Sequence, residues 1–117
     1  MGRLTTHILD TANGCPAAGV TIDLCSVGED DAVAVLNSVV TNSDGRVDGA
    51  MLEGDAFGVG VYELRFHVGA YFSDASNAGG PAFLDVVPVR FGVAAADEHY
   101  HVPLLISPFG YSTYRGS

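Results

Sequence analysis

Two histidines and a polar tail near the end of the chain carry side chains that can do chemistry. His99 and His101 are two residues apart, so on a strand both imidazoles would point to one face. Residues 111–117 (YSTYRGS) add several hydroxyl groups and the guanidinium of Arg115. Imidazoles move protons near neutral pH, and a guanidinium binds carbonyl-rich groups through paired hydrogen bonds. This set of residues predicts a binding site for a polar small molecule.

Two more residues of these types lie in the first half of the chain. His7 belongs to residues 4–10 (LTTHILD), where alternation puts Thr5 and His7 on one face of a strand. A histidine in a mainly apolar strand is either a functional group or a structural one bonded to backbone. Arg46 follows an Asp-Gly turn signal, where an arginine is either a solvated turn residue or part of a site. The residue pattern leaves both alternatives open for each.

Metal binding and covalent catalysis have little support in the sequence. The His99-x-His101 spacing could chelate, with His7 or His67 as a third ligand, but zinc needs three or four ligands. Cys15 and Cys25 could pair, but in a reducing compartment we expect two scattered cysteines to be free thiols, and since their spacing matches no zinc or redox motif we expect no metal. No serine nucleophile elbow, phosphate-binding loop or dinucleotide fingerprint is found in the sequence. Non-covalent acid–base chemistry is therefore expected.

The composition excludes two classes of partner. A formal charge of −9 disfavours nucleic acid and anionic membranes, which need basic patches. A hydrophobic content of 48% indicates that some apolar surface is buried between subunits, so we expect an oligomer. We expect one domain over residues 1–117 and, since no signal peptide or spanning apolar run is found, a cytoplasmic location, with a periplasmic form as the alternative.

The elements that must position these residues are strands. Segments with β-branched or alternating character recur between Gly, Asn, Asp and Pro clusters, which is typical of an all-β fold. We expect Pro88 on an edge strand, a short helix within residues 69–76, a turn at residues 77–81, and a solvated charge face formed by Glu63, Arg65 and His67. The predicted strands are residues 3–10, 20–27, 33–41, 60–69, 83–94, 99–107 and 111–115.

Four segments resemble the landmarks of one family. They are residues 4–10 (LTTHILD), 14–20 (GCPAAGV), 41–46 (TNSDGR) and 99–117 (HYHVPLLISPFGYSTYRGS). In this order they are similar to the 5-hydroxyisourate hydrolases, the transthyretin-related enzymes of urate breakdown. The resemblance implies a transthyretin-like β-sandwich of two four-stranded sheets with one short helix. It also implies a homotetramer, built as a dimer of dimers, with active sites in clefts between the dimers.

The resemblance also assigns roles to residues. It implies catalytic roles for His7, Arg46 and His101 and no cofactor, and it leaves His99 open. The implied reaction opens the ring of 5-hydroxyisourate at its N1–C6 amide bond, giving 2-oxo-4-hydroxy-4-carboxy-5-ureidoimidazoline. Our hypothesis is that one of the two histidines, His101 in preference to His7, orients or deprotonates water, while Arg46 and Arg115 hold the carbonyls and the developing oxyanion. The other histidine would complete a proton relay, and the Ser117 terminus would help to order water or substrate. The implied substrate-binding residues are His7, Arg46, Tyr114, Arg115, Gly116 and Ser117.

Two other functions remain open at this point. The same sandwich could be a non-enzymatic binding protein of the transthyretin type, which carries an apolar ligand in a channel. A structural or metal-binding domain that uses His99 and His101 is the third alternative. Fold alone does not separate these functions, so the site has to decide between them.

Overall fold

A computed structural model describes residues 2–73 and 80–116 of the chain. Within these residues the chain is mostly β-strand, with one short helix and one 3-10 turn at Gly54–Ala56. The elements in chain order are β1 (Arg3–Asp10), β2 (Cys15–Pro16), β3 (Thr21–Val27), β4 (Val33–Val40), β5 (Leu52–Glu53), β6 (Gly60–His67), α1 (Val68–Tyr71), β7 (Val86–Val93), β8 (His99–Ser107) and β9 (Gly110–Thr113).

The strands form two sheets. One sheet has the order β2-β1-β8-β9, with the two-residue β5 paired to the start of β1. The other has the order β4-β3-β6-β7. Strands β1 and β8 are parallel, whereas every other pair between the described strands is antiparallel. The predicted two-sheet sandwich is confirmed, and β5 adds a short fifth strand to the first sheet.

The core lies between the sheets because apolar residues alternate along the long strands. Leu4 and Ile8 of β1 and Leu104 of β8 are fully buried, as are Leu64 and Phe66 of β6. Each such side chain contributes about 1.5–3 kcal/mol when it leaves water. Because successive side chains point to opposite faces, the residues between them on β1 and β8 face outward. This alternation leaves the outer face of the first sheet free for polar groups.

Every predicted strand is observed, with bounds that differ by up to three residues, and the helix begins one residue before its predicted range. The two-residue strands β2 and β5 were not predicted. Pro88 lies on β7, which pairs within the chain only with β6 among the described strands, so its edge position is confirmed. The end of the predicted helix and most of the turn predicted at 77–81 lie outside the described residues.

The solvated charge face predicted on β6 is wrong for one of its members. Glu63 is only 5% exposed. Its carboxylate accepts hydrogen bonds from Nε of Arg65 at 2.7 Å and from Nε of Arg90 at 3.0 Å. The two guanidinium groups cover the carboxylate, and they hold its pKa below the usual value despite burial. Charge pairing with the neighbouring strand, which periodicity does not reveal, buries Glu63.

Candidate active site

The parallel pairing of β1 and β8 brings distant polar residues together. Its register places Thr5 beside His101, and Arg3 beside His99. Residues of one face alternate along each strand, so these side chains share the outer surface of the first sheet with His7. Their inward neighbours, such as Leu4 and Tyr100, are buried in the core. Packing of the apolar face therefore determines the position of the polar one.

His7 and His101 are in direct contact. Nδ1 of His7 lies 2.7 Å from Nε2 of His101. The ring centroids are 4.8 Å apart and the ring planes differ by 23°. Rings joined nitrogen to nitrogen in nearly the same plane form an N–H···N hydrogen bond, so one imidazole donates and the other accepts. The two predicted catalytic histidines thus form one hydrogen-bonded pair.

Thr5 connects this pair to His99. Its hydroxyl oxygen lies 2.7 Å from Nδ1 of His101 and 2.7 Å from Nε2 of His99. A hydroxyl can donate one hydrogen bond and accept two, so it can bridge two imidazoles. Both nitrogens of His101 are therefore occupied, one by His7 and the other by Thr5.

The surroundings favour the neutral form of both central histidines. Partial burial, and then the charge of Arg46, lower the pKa of His7 below its ordinary value. The pKa of His101 is lowered by burial first, and next by His7, Arg46 and His99. Neutral imidazoles keep a lone pair at physiological pH, as a general base requires.

A compact turn brings Arg46 to this sheet. The side-chain oxygen of Asn42 accepts hydrogen bonds from the backbone N–H groups of Asp44 at 2.9 Å and Arg46 at 3.2 Å. The backbone N–H of Asn42 donates to the carbonyl of Arg46 at 2.8 Å, closing the turn. Arg46 then forms an isolated β-bridge with His7. The Asn-Ser-Asp-Gly signal therefore positions an arginine beside a histidine far away in sequence.

The glycine of that turn allows the close approach. Gly45 has a φ of 70°, and its carbonyl accepts a hydrogen bond from the N–H of Ile8 at 2.8 Å. A Cβ at this position would collide with the carbonyl oxygen of Ile8. Glycine at this position therefore allows both the positive φ and the close contact with β1.

The polar tail returns along β8 to cover His101. Gly116 donates its N–H to the carbonyl of His101 at 2.7 Å, and the two residues form an isolated bridge. The preceding strand, β9, pairs with β8 in antiparallel register from Leu104↔Thr113 to Ser107↔Gly110. This pairing directs the tail back toward the histidines, so the side chains of the tail lie close to the candidate site.

Arg115 is turned away from the histidine pair. Its guanidinium carbon lies 3.9 Å from the ring centroid of Tyr100, and it donates hydrogen bonds to the carboxylate of Glu98 at 3.0 Å and the carbonyl of His99 at 3.3 Å. These contacts tie the tail to the start of β8. The predicted contact of Arg115 with a substrate stays a prediction.

The assembled groups surround a polar cavity of about 460 Å³. It contains Arg46, His101, Tyr114 and Gly116 from the predicted set, and His7 lies next to it through His101. Sequence reasoning missed Arg3 and Thr5 as cavity residues, since only the parallel β1–β8 register reveals them. Ser117 lies outside the described residues. Among the described residues, the lining is formed by Arg3, Thr5, Arg46, His99, His101, Tyr114 and Gly116.

Neither a metal cluster nor a spanning helix is found in the described part of the chain. Across residues 2–73 and 80–116, no three His, Cys, Asp or Glu side chains group closely enough to hold a metal ion. Within the same residues, no helix has the length and apolar character to cross a membrane. Cys15 and Cys25 are both free thiols, as predicted.

Comparison with known proteins places the chain in a family. The family model HIUase/Transthyretin family matches residues 4–116. A 5-hydroxyisourate hydrolase 2 of Rhizobium meliloti (strain 1021) is 62% identical over 117 residues, covering 99% of this chain and 97% of the relative.

Solved structures agree with this match. The 5-hydroxyisourate hydrolase of Klebsiella pneumoniae has a TM-score of 0.80 and 38% identity, and the match covers all of both chains. An (S)-allantoin synthase structure has a TM-score of 0.90 and 47% identity over 99% of this chain, which spans only 44% of that longer protein. The matches cover the chain from end to end in both sequence and fold, and on this basis the chain is a member of the HIUase/Transthyretin family.

Proposed function

We propose that this chain is a 5-hydroxyisourate hydrolase. It adds water across the N1–C6 amide bond of 5-hydroxyisourate and releases 2-oxo-4-hydroxy-4-carboxy-5-ureidoimidazoline. The observation that carries the proposal is the 2.7 Å contact between His7 and His101 beside the charge of Arg46, at a polar cavity. The high identity to a named hydrolase over nearly the full chain supports the substrate.

The chemistry needs a base and a stabiliser of negative charge. Attack of water on the C6 carbonyl transfers a proton to an imidazole and places negative charge on the carbonyl oxygen. The His7–His101 pair, with its lowered pKa values, is suited to take up the proton. Arg46 and Arg3 bring guanidinium groups to the cavity wall, where they bind the carbonyls and stabilise the oxyanion. The hydroxyl of Tyr114 adds a donor on the side of the tail.

The alternative function is a carrier of the transthyretin type, because the family model covers both groups of proteins. An apolar ligand is bound by predominantly apolar walls. The residues that line the cavity in the described part of the chain are instead two arginines, two histidines, a threonine and a tyrosine, with one glycine. This lining favours a hydrophilic, carbonyl-rich substrate over an apolar cargo.

The decay of freshly generated 5-hydroxyisourate tests the proposal. We expect the protein to accelerate the loss of substrate absorbance, and His101→Asn to lower kcat by about 10²- to 10⁴-fold if this imidazole takes part in proton transfer. His67→Asn is a matched control, because His67 lies on the second sheet and pairs there with Asp23 at 2.8 Å. A decay rate that the protein does not change would reject the enzyme in favour of a carrier.

We also propose that the protein is a homotetramer, a dimer of dimers. Two edge strands, β7 and β9, border a slot of about 220 Å³ with an apolar lining that includes Val89, Phe91 and Val102. Phe83 and Phe109 are 73% and 69% exposed, and their rings lie 5.9 Å apart. Unpaired edges and exposed aromatic pairs are regular features of surfaces that bind other subunits.

Light scattering over a range of concentrations measures the assembly. We expect four times the monomer mass for the unmodified protein and a smaller mass for Phe109→Asp. Val59→Asp is the matched control, since Val59 is 70% exposed and lies outside the aromatic pair. A monomer at all concentrations would contradict the proposed tetramer. The hydrolase proposal would then still be tested independently by the enzyme assay.

We further propose a bacterial cytoplasmic location. The two free thiols, one exposed and one buried, support a reducing compartment. Fractionation of the source cells tests this, and recovery of the protein with periplasmic markers would favour the periplasmic alternative.

A further inference from the structure

A hydrogen-bonded row of side chains continues beyond the predicted catalytic pair. It runs from His7 to His101, from His101 to Thr5 and from Thr5 to His99, and each of the three contacts measures 2.7 Å. His7 and Thr5 come from β1, while His99 and His101 come from β8. Uniform short contacts across two strands that are distant in sequence distinguish this row from a chance grouping of polar residues.

We propose that Thr5 and His99 extend the His7–His101 pair into a four-residue proton relay. In this relay Thr5 is the positioning residue that sets the tautomer of His101, and His99 is the end that exchanges protons with solvent. The inference rests on the proposed hydrolase and deepens it.

Occupancy of the nitrogens supports this assignment. Both ring nitrogens of His101 are engaged, so this imidazole passes a proton on rather than meeting water directly, and in this relay His7 takes the place that the sequence-based hypothesis gave to His101. The ends of the row are Nε2 of His7 and Nδ1 of His99, which make no hydrogen bond to the described residues. His7 is partly buried beside Arg46, whereas His99 is exposed. The relay therefore runs from a partly buried end beside Arg46 to an exposed end at His99, which also lines the polar cavity.

The proton balance closes along the row. Nε2 of His7 takes a proton from the attacking water as the new C–O bond forms, and Nδ1 of His7 gives its proton to Nε2 of His101. Nδ1 of His101 passes its proton to the Thr5 hydroxyl, whose own proton moves to Nε2 of His99. Nδ1 of His99 then releases a proton to solvent. Each imidazole ends neutral, with its proton on the opposite nitrogen.

Reprotonation of the leaving N1 runs the relay in reverse. The proton returns from solvent through His99, and His7 donates it as the C6–N1 bond breaks. The row is thereby restored for the next turnover, and no oxidant, reductant or metal enters the balance.

Replacement of Thr5 separates the hydroxyl from the shape of the side chain. Thr5→Val keeps the volume and removes the bridge, whereas Thr5→Ser keeps the bridge. We expect kcat to fall about 10- to 100-fold in Thr5→Val with little change in KM, and to stay within about 3-fold of the parent in Thr5→Ser. Thr113→Val is the matched control, because the Thr113 hydroxyl donates to the backbone carbonyl of Pro103 and lies outside the relay.

A second measurement does not depend on turnover. Nitrogen-15 shifts of the His101 ring report which nitrogen carries the proton. We expect one dominant tautomer in the parent and in Thr5→Ser, and a mixture in Thr5→Val. His99→Gln should lower kcat while leaving the His101 tautomer unchanged.

The outcomes separate this inference from the proposed hydrolase. Parental kcat and an unchanged His101 tautomer in Thr5→Val would overturn the positioning role of Thr5. Parental kcat in His99→Gln would overturn the role of His99 as the end of the relay that exchanges protons with solvent. If the parent fails to hydrolyse 5-hydroxyisourate, the hydrolase proposal is wrong. The tautomer measurement still decides whether Thr5 orders the histidines.

Discussion

Gly116 lies directly against the imidazole of His101. A Cβ built on Gly116 would stand 2.7 Å from Cδ2 of the ring, closer than side chains approach in real structures. The same two residues share the 2.7 Å backbone hydrogen bond that fixes the tail on β8. The glycine of the tail is thus a packing requirement of the histidine pair, and it links the end of the chain to the proposed chemistry.

Gly116→Ala should therefore impair activity more than stability. The added methyl group has to displace the His101 ring or the tail, and a displacement of about 1 Å in a catalytic group can cost ~100-fold in rate. We expect kcat to fall by about 10- to 100-fold and the melting temperature to change little, because the site lies on the surface of the sheet. Gly110→Ala is the matched control, since the one described heavy atom within 4 Å of a Cβ there is Ser107 Oγ at 3.8 Å. Equal kcat in both variants would show that the close contact between Gly116 and His101 does not affect activity.

Gly45→Ala should move Arg46 away from His7. Alanine at a φ of 70° costs about 1–2 kcal/mol, and its Cβ would also push against the Ile8 carbonyl. Gly49→Ala is matched for backbone strain, because Gly49 has a φ of 78° and no heavy atom within 4 Å of its Cβ position. Chemical denaturation and hydrolysis assays of both variants separate the two effects. We expect both variants to lose stability through backbone strain, a larger loss of stability in Gly45→Ala because of the collision with Ile8, and loss of kcat confined to Gly45→Ala. Parental kcat in Gly45→Ala would contradict this role of the turn.

Removing the charge of Arg46 should raise the pKa of both central histidines. Burial is the first cause of the lowered pKa at both residues, and the charge of Arg46 is the second cause at His7 and the third, after His7, at His101, so Arg46→Gln relieves one cause at each. Proton NMR titration of the ring C–H signals measures the change. We expect both titrations to move upward toward the ordinary histidine value of about 6.5. Unmoved titrations would place Arg46 too far from the pair to influence it.

The same shifts predict how stability depends on pH. A histidine with a lowered pKa in the folded state binds its proton less readily than in the unfolded chain, so acid favours unfolding. The free energy of unfolding should therefore decrease as pH falls below about 6.5, through the range between the unfolded and the folded pKa values. In the double variant His7→Gln/His101→Gln this part of the decrease should disappear. A decrease of the same size in parent and double variant would assign it to other groups.

Asp10 predicts a separate loss of stability at lower pH. Burial would raise the pKa of this carboxylate, but hydrogen bonds from Asn13, Tyr71 and Ala12 outweigh it and lower the pKa. The Tyr71 hydroxyl donates at 2.7 Å. This stabilisation is present above the unfolded pKa of about 4 and is lost as pH falls through the folded value.

Asp10→Ala should lower the free energy of unfolding by about 3 kcal/mol at neutral pH, because it leaves several donors without their acceptor. Asp48→Ala is the control, since Asp48 is exposed and accepts one hydrogen bond, from Asn42. Urea denaturation at pH 7 measures both, and equal midpoints would contradict the structural role of Asp10.

Much of the fold followed from local pattern. Alternation in segments such as residues 60–67 and 99–107 predicts strands because one face of each is buried. This pattern can be recognised in the sequence without knowing which strands lie alongside. The turn at residues 42–46 was predictable from the sequence for a similar reason, because Asn42 and Gly45 stabilise it through contacts and backbone conformation within a few residues. The resemblance then pointed to His7, Arg46 and His101.

What only the tertiary structure decided is how these groups meet. The parallel pairing of β1 with β8 puts Thr5 between His99 and His101, and it makes Arg3 a cavity residue. The tertiary structure also places the Arg115 guanidinium over the ring of Tyr100, and not at the wall of the polar cavity. Periodicity tells which side of a strand a residue occupies, but it carries no information about the strand alongside or its register. Local sequence therefore determined the strands and the chemical groups, whereas long-range packing determined the hydrogen-bonded row through which those groups act.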